Sequence, residues 1–130
     1  MTPTVFIIDD DADDVLITRR VLSKLGREIR AEVASSGEAG LTSLHDGRPL
    51  PELILLDLKM PGMDGLEVLH NIRSDDSLKH IPVVVLTNST LESDEKAAYR
   101  AGANSFVHKS FDLDRFGSDI KTLLDHWLKH

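Results

Sequence analysis

Five of the six residues from 9 to 14 are aspartates, and they follow directly on the apolar run VFII. Like charges about 4 Å apart repel by on the order of 4 kcal/mol at an effective dielectric near 20, so such crowding needs a cation, bound protons or helix termini to relieve it. Asp11 stands where it can cap a helix that starts at Ala12, and Asp13 and Asp14 fall in its first turn, where the macrodipole favours negative charge. Asp9 and Asp10, at the carboxyl end of the apolar run, lack that explanation. Asp57 closes a second such run in LILLDLKMPGMDG, Thr87 closes VVVLTNS, and Lys109 follows SFVH. Gathered at one edge, these groups would suit phosphoryl transfer: a carboxylate accepts the group, a divalent ion spreads the charge, and Lys109 and Thr87 hold the oxygens. Oxygen donors without histidine or thiolate favour Mg2+, with Mn2+ as the alternative, over zinc. The competing explanation is plainer: a solvated strand end for the aspartates, a turn for Thr87 and a solvated ammonium for Lys109.

Whether the groups can meet depends on the elements between them. Apolar runs of strand length occupy residues 5–8, 53–56 and 83–86, with weaker ones at 31–34 and 105–108. Helical spacing separates them, as in Val15, Thr18, Leu22 and Leu25, or Leu66, Leu69 and Ile72. It is clearest in Leu113, Phe116, Ile120, Leu123 and Trp127. About five βα units in a row favour an α/β parallel sheet covered by helices on both faces. The unbroken apolar runs at Leu53 and Val83 suit central strands, and AEVA, interrupted by Glu32, suits an edge. Ligand crevices in open α/β sheets lie outside the carboxyl ends of the strands, where the winding reverses. If the strand order is 2-1-3-4-5, the Asp9–Asp10 pair and Asp57 converge there.

Composition bounds the class. A chain of 130 residues with 41% hydrophobic and 28% charged residues fits one globular domain, 1–130, with no separate output domain and no low-complexity linker. No apolar stretch approaches membrane-spanning length, the start lacks a secretion signal, and a cytoplasmic location is expected. The absence of cysteine removes disulfides, thiolate metal sites and cysteine nucleophiles. A formal charge of −7 argues against direct nucleic-acid or membrane partners.

The ordered set IIDD, LLDLKMPGMDG, VVVLT and FVHKS closely resembles the receiver domains of bacterial two-component response regulators, over nearly the whole chain. The resemblance implies a flavodoxin-like (βα)5 doubly wound parallel sheet of order 2-1-3-4-5. It implies a signalling protein rather than an enzyme, capable only of self-catalysed phosphoryl acceptance and slow autodephosphorylation. Asp57 would accept the group from a kinase phosphohistidine, and Asp10 would bind the metal directly. Asp9 would act mainly through metal-bound water, and the carbonyl of Lys59 would complete the coordination. Thr87 and Lys109 would contact the phosphoryl group, and Thr87 and Phe106 would form the switch that alters the surface of helix four, strand five and helix five. Pro61 and Gly65 match the family's loop after the acceptor, where a fixed and a permissive residue shape a turn. The implied partner is a sensor histidine kinase or a histidine phosphotransfer protein. KSFDL and the general pattern are similar to single-domain regulators paired with phytochrome kinases, which can dimerise through the helix-four to helix-five face. Trp127 and Leu128 would extend that face, or Trp127 would only staple the last helix to the core.

Some positions depart from the family pattern. Asn88 replaces a small residue and is expected to narrow access to the acceptor. Ser110 replaces the proline of a cis bond, so the Lys109–Ser110 peptide is either strained or trans. Lys59 and Ser89 are not the pair associated with fast self-hydrolysis. Other readings fit less well. Asp9 and Asp11 mimic the acid pair of haloacid dehalogenase-like phosphohydrolases, but Asp13 does not match and the chain is short. A calcium loop through Asp9, Asp11 and Asp13 fails at Asp14 and Arg20. A receiver fold that works without phosphorylation is the third. Among the histidines only His126 and His130 have metal-like spacing, without a third ligand.

Overall fold

Each apolar run becomes a strand and each stretch of helical period a helix. The chain reads β1 (Thr4–Ile8), α1 (Ala12–Ser23), β2 (Arg30–Ala34), α2 (Gly37–Leu44), β3 (Leu53–Leu56), α3 (Gly65–Ser74), β4 (Val83–Thr87), α4 (Glu92–Arg100), β5 (Ser105–His108) and α5 (Leu113–Trp127). This is a computed structural model that describes residues 2–110 and 112–128. The strands form one parallel sheet in the order β2-β1-β3-β4-β5, the flavodoxin-like arrangement, with the winding reversed between β1 and β3.

The two-residue period of the strands divides the core. Phe6, Ile8, Ile54, Leu56, Val83 and Val85 face α2, α3 and α4, where they meet Leu44, Val68, Leu69, Ile72 and Ala98. Val5, Ile7, Leu53, Leu55, Val84 and Leu86 face α1 and α5, where they meet Val21, Leu22, Phe116, Ile120 and Leu124. Burial on both faces is why β3 and β4 carry no polar residue before their last position. β2, at the edge, keeps Arg30 and Val33 exposed.

The helix stripes differ somewhat from their sequence expectation. In α1, Val21 joins Thr18 and Leu22 in the buried line, while Leu25 lies beyond the helix end. In α5 the buried line advances in steps of four through Phe116, Ile120 and Leu124, leaving Leu113 largely exposed, with Leu123 and Trp127 partly buried beside it. Trp127 staples α5 to β5, its Nε1 donating to Ser105 Oγ at 3.3 Å. Leu128 is 3% exposed, packed in the core, so its expected place on a dimer face is corrected: it has no surface to offer.

Main-chain pairing does not stop where the strands end. Asp9 N–H donates to Ala34 O at 3.1 Å, Asp57 N–H to Ile8 O at 2.9 Å, and Lys109 N–H to Thr87 O at 2.8 Å. Each bond carries the ladder one residue further and fixes the direction in which the first site residue of its loop leaves the sheet. Gly65 reinforces the same edge in an unexpected way. Its backbone dihedral is not the permissive one; Gly62 holds that role, with φ 73°. Gly65 is needed because a Cβ there would strike the Asp57 carbonyl oxygen and lie 2.7 Å from Leu58 Cα. Gly65→Ala should therefore cost about 1–3 kcal/mol through overpacking against backbone, read as a lower urea midpoint at unchanged slope.

His45 and Asp75, at the C-terminal ends of α2 and α3, form an exposed clasp: His45 Nε2 lies 2.6 Å from Asp75 Oδ2, and Nδ1 lies 2.8 Å from Leu41 O. The hydrogen bond to Asp75, then that to Leu41, raises the His45 pKa, and the His45 bond, with those from the Ser77 hydroxyl and N–H, lowers Asp75 to about 2. A raised histidine stabilises fully below its unfolded value and loses that contribution as pH rises through the folded one. The stability difference between wild type and His45→Gln should therefore shrink as pH rises above about 6.5, which urea midpoints across that range will measure.

Candidate functional site

The ends of four strands, β1, β3, β4 and β5, deliver the expected groups to one edge. One carboxylate oxygen from each of Asp9, Asp10 and Asp57 lies within 4.8 Å of the others. Lys109 Nζ donates to Asp9 Oδ2 at 2.7 Å and stands 3.8 Å from Asp57 Oδ2. Thr87, fully buried at the end of β4, accepts the Ser89 N–H on Oγ1 at 3.1 Å. Asp9 is the most committed carboxylate, since its Oδ1 also accepts the Asp11 N–H at 3.0 Å. Asp10 is exposed and has no hydrogen-bond partner among the described residues. Lys59 follows in the β3–α3 loop, where its ammonium is drawn away to Asp94 at 3.3 Å, so only its main chain is available to the acidic cluster.

Electrostatics distinguish Asp57 from an ordinary carboxylate. Burial pushes its pKa up to about 7; the Lys109 charge opposes that rise, the Asp9 charge adds to it, and the N–H groups of Lys59 and Leu58 donate to the carboxylate and oppose it. Burial pulls Lys109 down, but hydrogen bonds to Asp9 and Asp14 and the charges of Asp57 and Asp9 outweigh it, and the net direction is up. Three carboxylates against one ammonium leave surplus negative charge among oxygen donors, which fits a hard divalent cation.

Two features escaped the sequence reading. Asp14 does more than complement the helix dipole: its Oδ2 accepts from Lys109 Nζ at 2.9 Å and from Asn88 Nδ2 at 3.3 Å. Its spacing from Thr18, which faces inward, was the available signal. Asp94 is the second, accepting a hydrogen bond from Ser89 Oγ as well as the Lys59 contact. Asn88 therefore turns toward Asp14 instead of simply screening Asp57. The Lys109–Ser110 peptide is trans, as no cis bond occurs among the described residues. Asp11 is spent on its cap, accepting from Asp13 N–H and Asp14 N–H, which removes the acid partner of the phosphohydrolase reading. His126 meets Trp127 edge-on, and His130 lies outside the described residues.

Phe106 is partly buried against the α2–α4 side of the core. Grooves flank it on either side, about 430 Å³ toward α5 and about 410 Å³ toward the β4–α4 loop.

Residues 5–121 match the response regulator receiver domain family. The chain belongs to that family. It is 34% identical over 128 residues to the probable methanogenesis regulatory protein FilR2 of Methanothrix harundinacea, covering 95% of this chain and 83% of that protein. The Mn2+-bound structure of response regulator Rcp1, a Synechocystis protein, superposes with a TM-score of 0.86 at 32% identity, over 98% of this chain and 95% of the other. The phosphorylated cyanobacterial phytochrome response regulator RcpA gives a TM-score of 0.90 at 30% identity, over 99% and 96%. As a receiver, this protein has a phospho-accepting role in two-component signalling, uses a divalent metal, and interacts with histidine kinase or phosphotransfer partners. Receivers are in general signalling domains rather than enzymes, and no helix among the described residues is long and apolar enough to cross a membrane.

A cation among the carboxylates favours the ionised form of Asp57. Burial raises the Asp57 pKa to about 7, so adding Mg2+ to metal-free protein near that pH should release protons, and the release should vanish well above that pH and in Asp57→Asn. Calorimetry in buffers of different ionisation enthalpy will count them.

Proposed function

We propose that Asp57 is the phosphoryl acceptor and that Asp10, Asp57 and the Lys59 carbonyl hold Mg2+, with Asp9 completing the acidic edge. The observation that carries this reading is the convergence of Asp9, Asp10 and Asp57 beside Lys109 at the winding reversal. Bound Mg2+, or Mn2+ in its place, would neutralise charge on the phosphoryl oxygens. An Asp57 oxygen attacks the phosphorus, and the phosphorus–nitrogen bond of the donor phosphohistidine breaks, its electron pair returning to the imidazole. Lys109 and Thr87 hold the transferred oxygens, their positions fixed by the strands before them. The reaction is self-catalysed, with no other substrate turned over.

The switch follows from what Thr87 must give up. Its hydroxyl, now holding the Ser89 N–H, turns toward the phosphoryl group, and Phe106 moves within the space between its two grooves. The altered surface of α4, β5 and α5 then meets a partner or a second copy. Exposed Leu91 and Tyr99 supply apolar area there. α4 is suited to move, since Ala98 is its one buried residue and Leu91 gives it no side-chain cap. The donor is a sensor histidine kinase, of the phytochrome kind by likeness to RcpA and Rcp1, or a histidine phosphotransfer protein. The setting is the cytoplasm, and the receiver acts by contact with a protein partner, with no nucleic acid or membrane.

With Ser89 and Lys59 both engaged by Asp94, neither side chain is aimed to place a hydrolytic water, and a long-lived phosphorylated state is expected. Intact-mass measurement after acetyl phosphate and Mg2+ should show one added phosphoryl group on wild type and none on Asp57→Asn. The label should persist after donor removal; an unlabelled wild type contradicts the acceptor role, and rapid loss contradicts the lifetime.

A further inference from the structure

Lys109 is 8% exposed and its ammonium has three protons to give. Two already go to carboxylates, Asp9 at 2.7 Å and Asp14 at 2.9 Å, while the Asp57 oxygen is farther, at 3.8 Å. A phosphoryl group on Asp57 would therefore find its cationic partner engaged. Asp9 belongs to the acidic edge itself, but Asp14 comes from the first turn of α1 and its contact with Lys109 serves no evident packing purpose. We propose that Asp14 is a built-in competitor for Lys109, a positioning residue that holds the ammonium in the unphosphorylated protein and sets how tightly the phosphoryl group is taken up. This rests on the reading of Asp57 as acceptor.

Two observations support a releasable competitor over a fixed strut. Asp14 is 23% exposed and borders a groove of about 230 Å³, lined also by Ile17, Asn88 and Leu113, so its carboxylate can turn to solvent without displacing a packed side chain. Its second anchor is Asn88 Nδ2, at 3.3 Å, on the residue next to Thr87. An inward turn at Thr87 would loosen Asn88 from Asp14 and Asp14 from Lys109 together. The switch and the cation are thus wired through one carboxylate.

The test uses beryllium trifluoride with saturating Mg2+ as a stable phosphoryl analogue, its affinity measured by calorimetry on the full chain. Asp14→Asn keeps the shape and removes the charge, and should bind the analogue about three- to tenfold more tightly, the range for losing a half-screened charge-assisted contact. Its affinity for Mg2+ alone should not increase, a split that a general change in stability would not produce. Asp13→Asn removes the same charge from the same helical turn without touching Lys109, and should leave analogue affinity within about twofold of wild type. Asn88→Ala tests the second anchor with Asp14 intact, should tighten binding by a smaller factor, and decides the matter if Asp14→Asn does not fold. Equal or weaker analogue binding by Asp14→Asn, or tightening shared by Asp13→Asn, overturns the inference. Failure of wild type to bind the analogue, or undiminished binding by Asp57→Asn, would instead sink the acceptor reading beneath it.

Discussion

The site depends on one buried ammonium placed among more carboxylates than it can neutralise. Lys109 satisfies Asp9 and Asp14 and approaches Asp57, yet Asp10 has no partner among the described residues and Asp57 remains easy to protonate. An arrangement of this kind is costly when empty and favourable when filled by a cation, and it persists only because the backbone enforces it. The enforcement is the parallel ladder, which runs one residue beyond β1, β3 and β5 and points Asp9, Asp57 and Lys109 out of the same edge. Gly65 lets α3 begin against the carbonyl of Asp57, so the loop after Asp57 has little freedom to relax.

Around that rigid edge the fold distributes stability unevenly. β3 and β4 are buried along their whole length, and α3 and α5 each bury several large side chains. α4 buries Ala98 alone and starts without a side-chain cap. Local opening is drawn from elements with few buried contacts, so a change at Thr87 has a compliant helix next to it and a stiff sheet behind it. The Ser89–Asp94–Lys59 chain ties the start of α4 to the loop after Asp57, which places the restraint on that helix close to the acidic cluster.

Much of this was legible in the sequence because burial on both sheet faces leaves a strong signature. Apolar runs of four residues located the strands to within one residue at either end, and the polar groups that closed them, Asp57, Thr87 and Lys109, were conspicuous for that reason. Long-range pairing inside the site was not legible. Asp14 had a sufficient local reason to be in the first turn of α1, which hid its contact with a lysine 95 positions away. Asp94 was hidden likewise by the acidic first turn of α4. Gly65 looked like a turn glycine, whereas its necessity comes from a backbone that arrives from another loop. Leu128 looked like terminal surface because periodicity does not reveal where the last turn folds back onto the core.

An acyl phosphate leaves a chemical trace that distinguishes its carboxylate from every other. Borohydride reduces an aspartyl phosphate to homoserine, and peptide sequencing by mass spectrometry then reads the position directly. After treatment of the protein with acetyl phosphate and Mg2+, homoserine at position 57 alone is the expected result. Homoserine at Asp9, Asp10 or elsewhere, or none in protein that carries the label, would contradict the claim that this sheet edge was built around Asp57.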